Sequence, residues 1–240
     1  MSERLGRTAR DQRRRTFGQN FLVDDTILDR FVDGLGIGSD DLVVDIGAGV
    51  GALTFPLART GATVWAVEPD PNWLGQLVAG AHRLELMDRI RVIPSTIERL
   101  RLPRTPYRVV ANPPFGQTTA ILSLLLDEPV AGPTRVDLVL ERAVARKHAT
   151  TPPRALRTAA WSPWWTFELG LQVPRSAFRP RPSVDAAVLT IRRRPTPLLP
   201  ERLAPDLLEA LRPLWVSTTT TRNTRTRTTT DPITPNGGVP

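Results

Sequence analysis

The chain contains no cysteine. That excludes disulfides, thiolate zinc sites and cysteine nucleophiles. Its two histidines, His82 and His148, stand far apart in sequence and do not read as metal ligands. Lysine is almost missing, with Lys147 the only one, so nearly all positive charge is arginine. No apolar run approaches the roughly 20 residues that span a bilayer. The arginine-rich start also lacks the apolar stretch of a signal peptide. The expectation is a cytoplasmic protein with no metal and no membrane partner.

What remains is basic and moderately apolar. The 240 residues suit one α/β domain with a small appendage, and 40% hydrophobic content allows a real core. Lys and Arg number 32 against 24 Asp and Glu, a formal charge of +8. Such an excess points to an anionic partner. Residues 1–16 carry Arg4, Arg7, Arg10, Arg13, Arg14 and Arg15 and read as a disordered basic arm. Residues 17–195 form the main domain. Residues 196–216 read as a short helical appendage, and the Thr/Arg/Pro/Gly-rich residues 217–240 as a disordered tail.

Within the domain, strand and helix patterns alternate. Apolar strand runs occur at Leu42–Ile46, Thr63–Val67, Ile90–Ile93, Tyr107–Ala111 and Val136–Leu140. Helices are expected from Asp24 or Asp25 as cap, after the glycine loop to about Thr60, from about Asp70, and over Thr118–Leu126. Short connections between them predict a parallel sheet covered on both faces. Phe167–Val173 and Val184–Arg192 flank a Pro/Arg loop and predict a closing antiparallel hairpin.

Two loops carry chemistry. The first is Asp45-Ile46-Gly47-Ala48-Gly49-Val50-Gly51, a strand running into Gly-x-Gly-x-Gly. Glycines there let a ligand approach the backbone. The next strand ends in Glu68, a carboxylate placed to accept ribose hydroxyls. A dinucleotide site usually reads Gly-x-Gly-x-x-Gly and seats a pyrophosphate, which Asp45 would repel. The spacing found here suits S-adenosylmethionine, a cofactor with a cationic centre and an amino-acid tail.

The second loop is Asn112-Pro113-Pro114-Phe115. The prolines cannot donate ladder bonds, so the strand stops there. The loop presents an amide, free carbonyls and a ring. Those parts hold a planar base with an exocyclic amine: the oxygens accept from the NH2, and the ring stacks.

Taken together, these residues resemble the rRNA adenine N6-methyltransferases. That superfamily joins the Erm resistance enzymes and the small-subunit dimethyladenosine transferases. The resemblance rests on Phe17-Gly18-Gln19-Asn20-Phe21-Leu22, Asp45–Gly51, Glu68, Asn112–Phe115 and Phe178-Arg179-Pro180-Arg181-Pro182-Ser183-Val184-Asp185, in family order. It implies a Rossmann-like class I methyltransferase sheet. It implies that Gln19, Asn20 and Leu22 close over the cofactor, that Gly47, Gly49 and Gly51 cradle it, and that Glu68 holds its ribose. It implies that Asn112 and the Pro113 carbonyl hold the N6 amine, with Asn112 also at the cofactor, and that Phe115 stacks on a flipped adenine with Phe178 as a second aromatic.

Phe115 after the paired prolines is closer to actinobacterial Erm proteins. The implied substrate is therefore a single-stranded or bulged adenine in 23S rRNA, and the implied outcome macrolide-lincosamide-streptogramin resistance, by a monomer. A small-subunit dimethyladenosine transferase and a non-catalytic RNA-binding relative stay open as alternatives. Two departures stand out. Thr96 or Ser95 occupies the place where the family has an acid against the cofactor adenine. The C-terminal helical unit is also short. A nicotinamide oxidoreductase has no use for Asn-Pro-Pro-Phe, and a DNA adenine methyltransferase would carry a target-recognition region that is absent here.

Overall fold

The structure, a computed structural model, describes residues 20–224. The basic arm, Gln19 and the tail from residue 225 lie outside the described residues. In chain order the main elements are β1 (Phe21–Leu22), α1 (Asp25–Asp33), β2 (Leu42–Ile46), α2 (Thr54–Arg59), β3 (Thr63–Val67), α3 (Pro71–Arg83), β4 (Ile90–Ile93) and β5 (Arg108–Ala111). Then follow α4 (Thr118–Leu126), β6 (Arg135–Glu141), α5 (Arg142–Ala149), α6 (Leu156–Trp161), β7 (Trp165–Val173), β8 (Phe178–Arg179), β9 (Ala186–Arg193) and α7 (Ala204–Thr224).

Seven strands form one sheet in the order β4-β3-β2-β5-β6-β9-β7. The first five are parallel, while β9 runs antiparallel to β6 and to β7. The expected closing hairpin is therefore present, with β9 inserted between β6 and β7. The alternation of strand side chains divides the core into two halves. Val43, Val110, Val139 and Val188 pack with α1, α2 and α3. Their neighbours Val44, Val109, Leu138, Leu140 and Leu189 pack on the other face with α4 and α6. Buried on both faces, these strands read as near-continuous apolar runs.

Local signals explain the helix starts. The Asp24 side chain accepts from Ile27 N at 3.1 Å and caps α1. Asp70 accepts from Asn72 N at 2.8 Å, and Pro71 takes the first position of α3, where a missing N–H costs nothing.

The helical appendage departs from expectation. The backbone of α7 continues to Thr224, past residue 217, where the disordered tail is expected to start. Helix growth is cooperative: once the apolar turns have nucleated it, each further residue adds one hydrogen bond. Two elements absent from the sequence reading, α5 and α6, follow β6 and frame a groove described below.

Strand order reverses at the centre of the sheet, because β3 flanks β2 on one side and β5 on the other. Loops leaving β2 and β5 diverge, and a crevice opens at their carboxyl ends. The glycine loop and the Asn112 loop are those two loops.

Candidate active site

The glycine loop leaves β2 with Gly47 N and Ala48 N donating to Val67 O at 2.9 and 3.0 Å. Gly47, Gly49 and Gly51 all have positive φ, from +56° to +98°, a backbone that L side chains rarely adopt. Glu68 is fully buried at the end of β3. Its Oε2 accepts from Gly49 N at 2.9 Å and its Oε1 from Asp70 N at 3.0 Å. Glu68 thus ties the glycine loop to the neighbouring strand, and each oxygen keeps a further lone pair for a hydroxyl.

Asp45, at 1% exposure, accepts from Thr54 Oγ1 at 2.7 Å. Burial pushes its carboxyl up to about 7; the charge of Glu68 adds to this and the Thr54 bond opposes it. Glu68 is also raised, chiefly by burial, with its two backbone N–H partners working the other way. Two buried acids with raised affinity for protons make a place that favours a cation.

Asn112 follows β5. Its Nδ2 donates to the Asn20 carbonyl at 2.8 Å. Its Oδ1 is buried and has no hydrogen-bond partner among the described residues. A buried amide oxygen left unpaired is costly, so it marks a place for an external donor. Pro113 is buried directly behind it, and Phe115 is half-buried. The Phe115 ring meets Phe178 edge-on, centroids 6.4 Å apart at 77°. Phe178 itself is fully buried and belongs to the core, so its contact with the site runs through Phe115.

The N-terminal segment joins the two halves. β1 pairs with β8, setting Phe21 opposite Arg179 and Leu22 opposite Phe178. A cavity of about 20 Å³ lies between Asn20, Leu22, Asp45, Gly47 and Asn112. The structure therefore brings together Asn20, Leu22, Gly47, Gly49, Gly51, Glu68, Asn112, Pro113 and Phe115. Thr96 is not buried like the acids of that cluster. It is exposed, just beyond β4, at the start of a short 3-10 turn over Ile97–Arg99. Glu68 N donates to Ile93 O at 3.1 Å, which keeps the end of β4 beside Glu68.

The sequence reading missed a basic groove of about 690 Å³. Arg142, Arg146 and Lys147 of α5 line it with Arg154 and Arg175. Asp185 is the only acid in its wall, and it is structural. Its Oδ1 accepts from Arg175 N at 3.0 Å and its carbonyl from Arg142 N at 2.9 Å. The missed signal was the Arg142-x-x-x-Arg146-Lys147 spacing, which puts positive charge on one helix face. No group of His, Cys, Asp or Glu able to hold a metal occurs among the described residues.

A mostly parallel sheet with this strand order, a glycine loop and an acid at the switch point, and a buried amide oxygen beside them mark the class I methyltransferase fold. The comparisons with known proteins make the assignment narrower. The family model of ribosomal RNA adenine dimethylases matches residues 10–225, and the chain belongs to that family. It is therefore an enzyme of the rRNA adenine N6-methyltransferase type, with S-adenosylmethionine as methyl donor.

Over 187 residues the chain is 41% identical to an rRNA adenine N-6-methyltransferase of Corynebacterium diphtheriae, covering 78% of this chain and 71% of the relative. It is 35% identical to the ribosomal RNA small subunit methyltransferase A of Leuconostoc citreum, covering 81% and 68%. Among solved structures it is similar to the 23S rRNA methyltransferase ErmE, with TM-score 0.70 and 28% identity, over 84% of this chain and 79% of that one.

Proposed function

We propose that this enzyme methylates the N6 amine of a single-stranded or bulged adenine in 23S rRNA, and that the modification confers macrolide-lincosamide-streptogramin resistance. One observation carries the chemistry: the buried, unpaired Oδ1 of Asn112, at the crevice and beside Phe115. The residues also fit the cofactor. Gly47, Gly49 and Gly51 hold a positive-φ backbone that brings the chain close to a ligand, and Asp45 and Glu68 favour a cation. Gln19, outside the described residues, would complete the closing segment with Asn20 and Leu22.

S-adenosylmethionine supplies an electrophilic methyl group; the rest falls to the protein. Gly47, Gly49 and Gly51 would carry it on their backbone, Glu68 would accept from its ribose, and Thr96 would accept from its adenine. Adenine N6 is a poor nucleophile because its lone pair is delocalised into the ring. Asn112 Oδ1 and the Pro113 carbonyl accept the two amine protons and favour a tetrahedral nitrogen whose lone pair faces the crevice. These acceptors are fixed before the reaction, so they cost no reorganisation during it. Phe115 stacks on the flipped base and offsets part of its unstacking, while Phe178 holds the Phe115 edge. Exposed bases in loops and bulges fit this entry, because an A-form duplex hides its base edges. The groove at Arg142, Arg146 and Lys147 supplies phosphate contacts.

Likeness to ErmE supports the 23S target. The second reading, a small-subunit dimethyladenosine transferase, is favoured by the Leuconostoc relative. The same reading has the enzyme act as a monomer, and an rRNA substrate supports the cytoplasm. Primer extension on rRNA from cells expressing the protein tests the choice. The expected result is a stop at one adenine near the peptidyl-transferase loop, together with raised macrolide resistance. Modified small-subunit rRNA with unchanged resistance would favour the second reading.

A further inference from the structure

Phe21 touches the cofactor half of the site with its ring and the base half with its backbone, and the chemistry above assigns it nothing. A Cβ built on Gly49 would fall 2.8 Å from Phe21 Cε1, so the ring rests directly on the glycine loop. Its edge meets Trp73, centroids 5.2 Å apart at 66°. Trp73 lies in the first turn of α3, shortly after Glu68. The backbone of the same segment faces the other loop. Asn20 O accepts from Asn112 Nδ2 at 2.8 Å, Leu22 pairs with Phe178, and Val23 N donates to Ala177 O at 2.8 Å.

We infer that Phe21 is a positioning residue for methyl transfer: its ring seats residues 20–22 on the glycine loop and Trp73, and the seated segment aims the Asn112 amide. The inference rests on the methyltransferase reading. A two-stranded ribbon is marginal by itself, and β1 and β8 share only two residue pairs. The segment therefore depends on side-chain anchors. Leu22, at 1% exposure, is one, and it points into the core. Phe21 is the other, on the cofactor side.

The amide of Asn112 has two nearly isosteric ends. With the Asn20 carbonyl in place, only the NH2 end can face it, because the oxygen end would set two acceptors against each other. That choice leaves Oδ1 for the incoming amine. When the segment lifts, the amide is free to turn and can present a donor to a donor. Glycine at position 49 is also what allows the ring this close, since any side chain there would collide with it. A ligand lying along Gly49 therefore shares a surface with Phe21, and its arrival is felt at Trp73.

The test uses the full chain with Phe21→Ala, Phe21→Leu and Phe21→Tyr. Three quantities are read. S-adenosylmethionine affinity is measured by calorimetry, and the single-turnover rate on protein-free 23S rRNA at saturating cofactor. Trp73 emission is isolated as the difference between wild type and Trp73→Phe. Phe21→Ala and Phe21→Leu are expected to lower the rate about 10- to 100-fold, the range for a small misplacement of a reacting group. Cofactor affinity should fall less than the rate, and Phe21→Tyr, which keeps the ring, should restore most of it. Cofactor should shift Trp73 emission in wild type and not in Phe21→Ala.

A wild-type rate in Phe21→Ala, or a rate loss matched by an equal loss of cofactor affinity, would overturn the proposal while leaving the enzyme assignment intact. Trp73 emission indifferent to bound cofactor would overturn it as well. Wild-type protein that binds no S-adenosylmethionine would overturn the underlying reading and this one with it.

Discussion

The side-chain amide of Asn112 donates to the Asn20 carbonyl at 2.8 Å and keeps its own oxygen buried and unpaired. Asn20 thereby sets the orientation of the side chain proposed to hold the substrate amine. Asn112→Ala removes both the acceptor and the tie to Asn20. Its expected effect is a fall of about 10² to 10³ in the rate of methyl transfer, the scale for losing one preorganised charge-stabilising group. RNA affinity, measured by filter binding, should change little, because phosphate contacts dominate it. A mutant that turns over normally would remove Asn112 from the amine-holding role.

Glu68 has a structural role beside the ribose-binding role proposed for it. Its oxygens already accept from Gly49 N and Asp70 N, so losing it unties the glycine loop. Glu68→Ala should weaken cofactor binding by about 1.5–3 kcal/mol, the range for a charged hydrogen bond. It should also lower the melting temperature without cofactor. Calorimetry and a thermal melt separate the two effects. Cofactor affinity unchanged in a destabilised protein would leave Glu68 a loop tie alone.

Asp45 makes the site sensitive to pH. Its carboxyl titrates near 7 in the fold against an ordinary 3.8, because burial disfavours its charge. The folded chain therefore keeps a proton that the unfolded chain loses above about pH 4. Stability contributed this way is full below pH 4, declines as pH rises from 4 to 7, and is gone above 7, a difference of about 4 kcal/mol. Asp45→Asn, which still accepts from Thr54, should melt higher than wild type at pH 8 and close to it at pH 4. A cationic cofactor reverses the preference by favouring the ionised acid. Wild type should bind S-adenosylmethionine several-fold more tightly at pH 8 than at pH 6. The Asn variant should lose that dependence. Equal melting curves at pH 8 would show that Asp45 is not held near 7.

Much of this site was legible because its parts are local in sequence. A strand running into Gly47-Ala48-Gly49 and a strand stopped by Pro113 and Pro114 each state a backbone geometry within a few residues. The acid at the end of the next strand, Glu68, follows from the same pattern. What the sequence did not yield depends on distant pairs. Nothing near Phe21 announces that it lies opposite Arg179 or against Trp73. Phe178 reads from its motif as a second aromatic at the base, and its full burial follows from core packing. Thr96 sits outside the buried cluster, a matter of exposure rather than of motif. The helix α5 escaped notice because its stabilising contacts, with β7 and β9, come from later in the chain.

That helix carries the last prediction. Arg142, Arg146 and Lys147 are all exposed and line one groove with Arg154 and Arg175. The lone acid in that wall, Asp185, already accepts from Arg175 N. Arg175 in the groove wall lies three residues before Phe178, whose ring meets Phe115. Binding RNA phosphates would release counterions, and each lost contact should reduce the slope of log affinity against log salt by about 0.7 for single-stranded RNA. Arg146→Ala with Lys147→Ala should therefore flatten the slope by about 1.4 and weaken binding at low salt more than at high salt. Single-turnover methylation at saturating RNA should persist, since neither side chain touches Asn112 or the glycine loop. Fluorescence anisotropy of a labelled rRNA fragment across a salt series measures the slope directly. An unchanged slope would mean that phosphate binding lies elsewhere, on the arginines of residues 1–16 or along α7, and that the groove is only a solvated face.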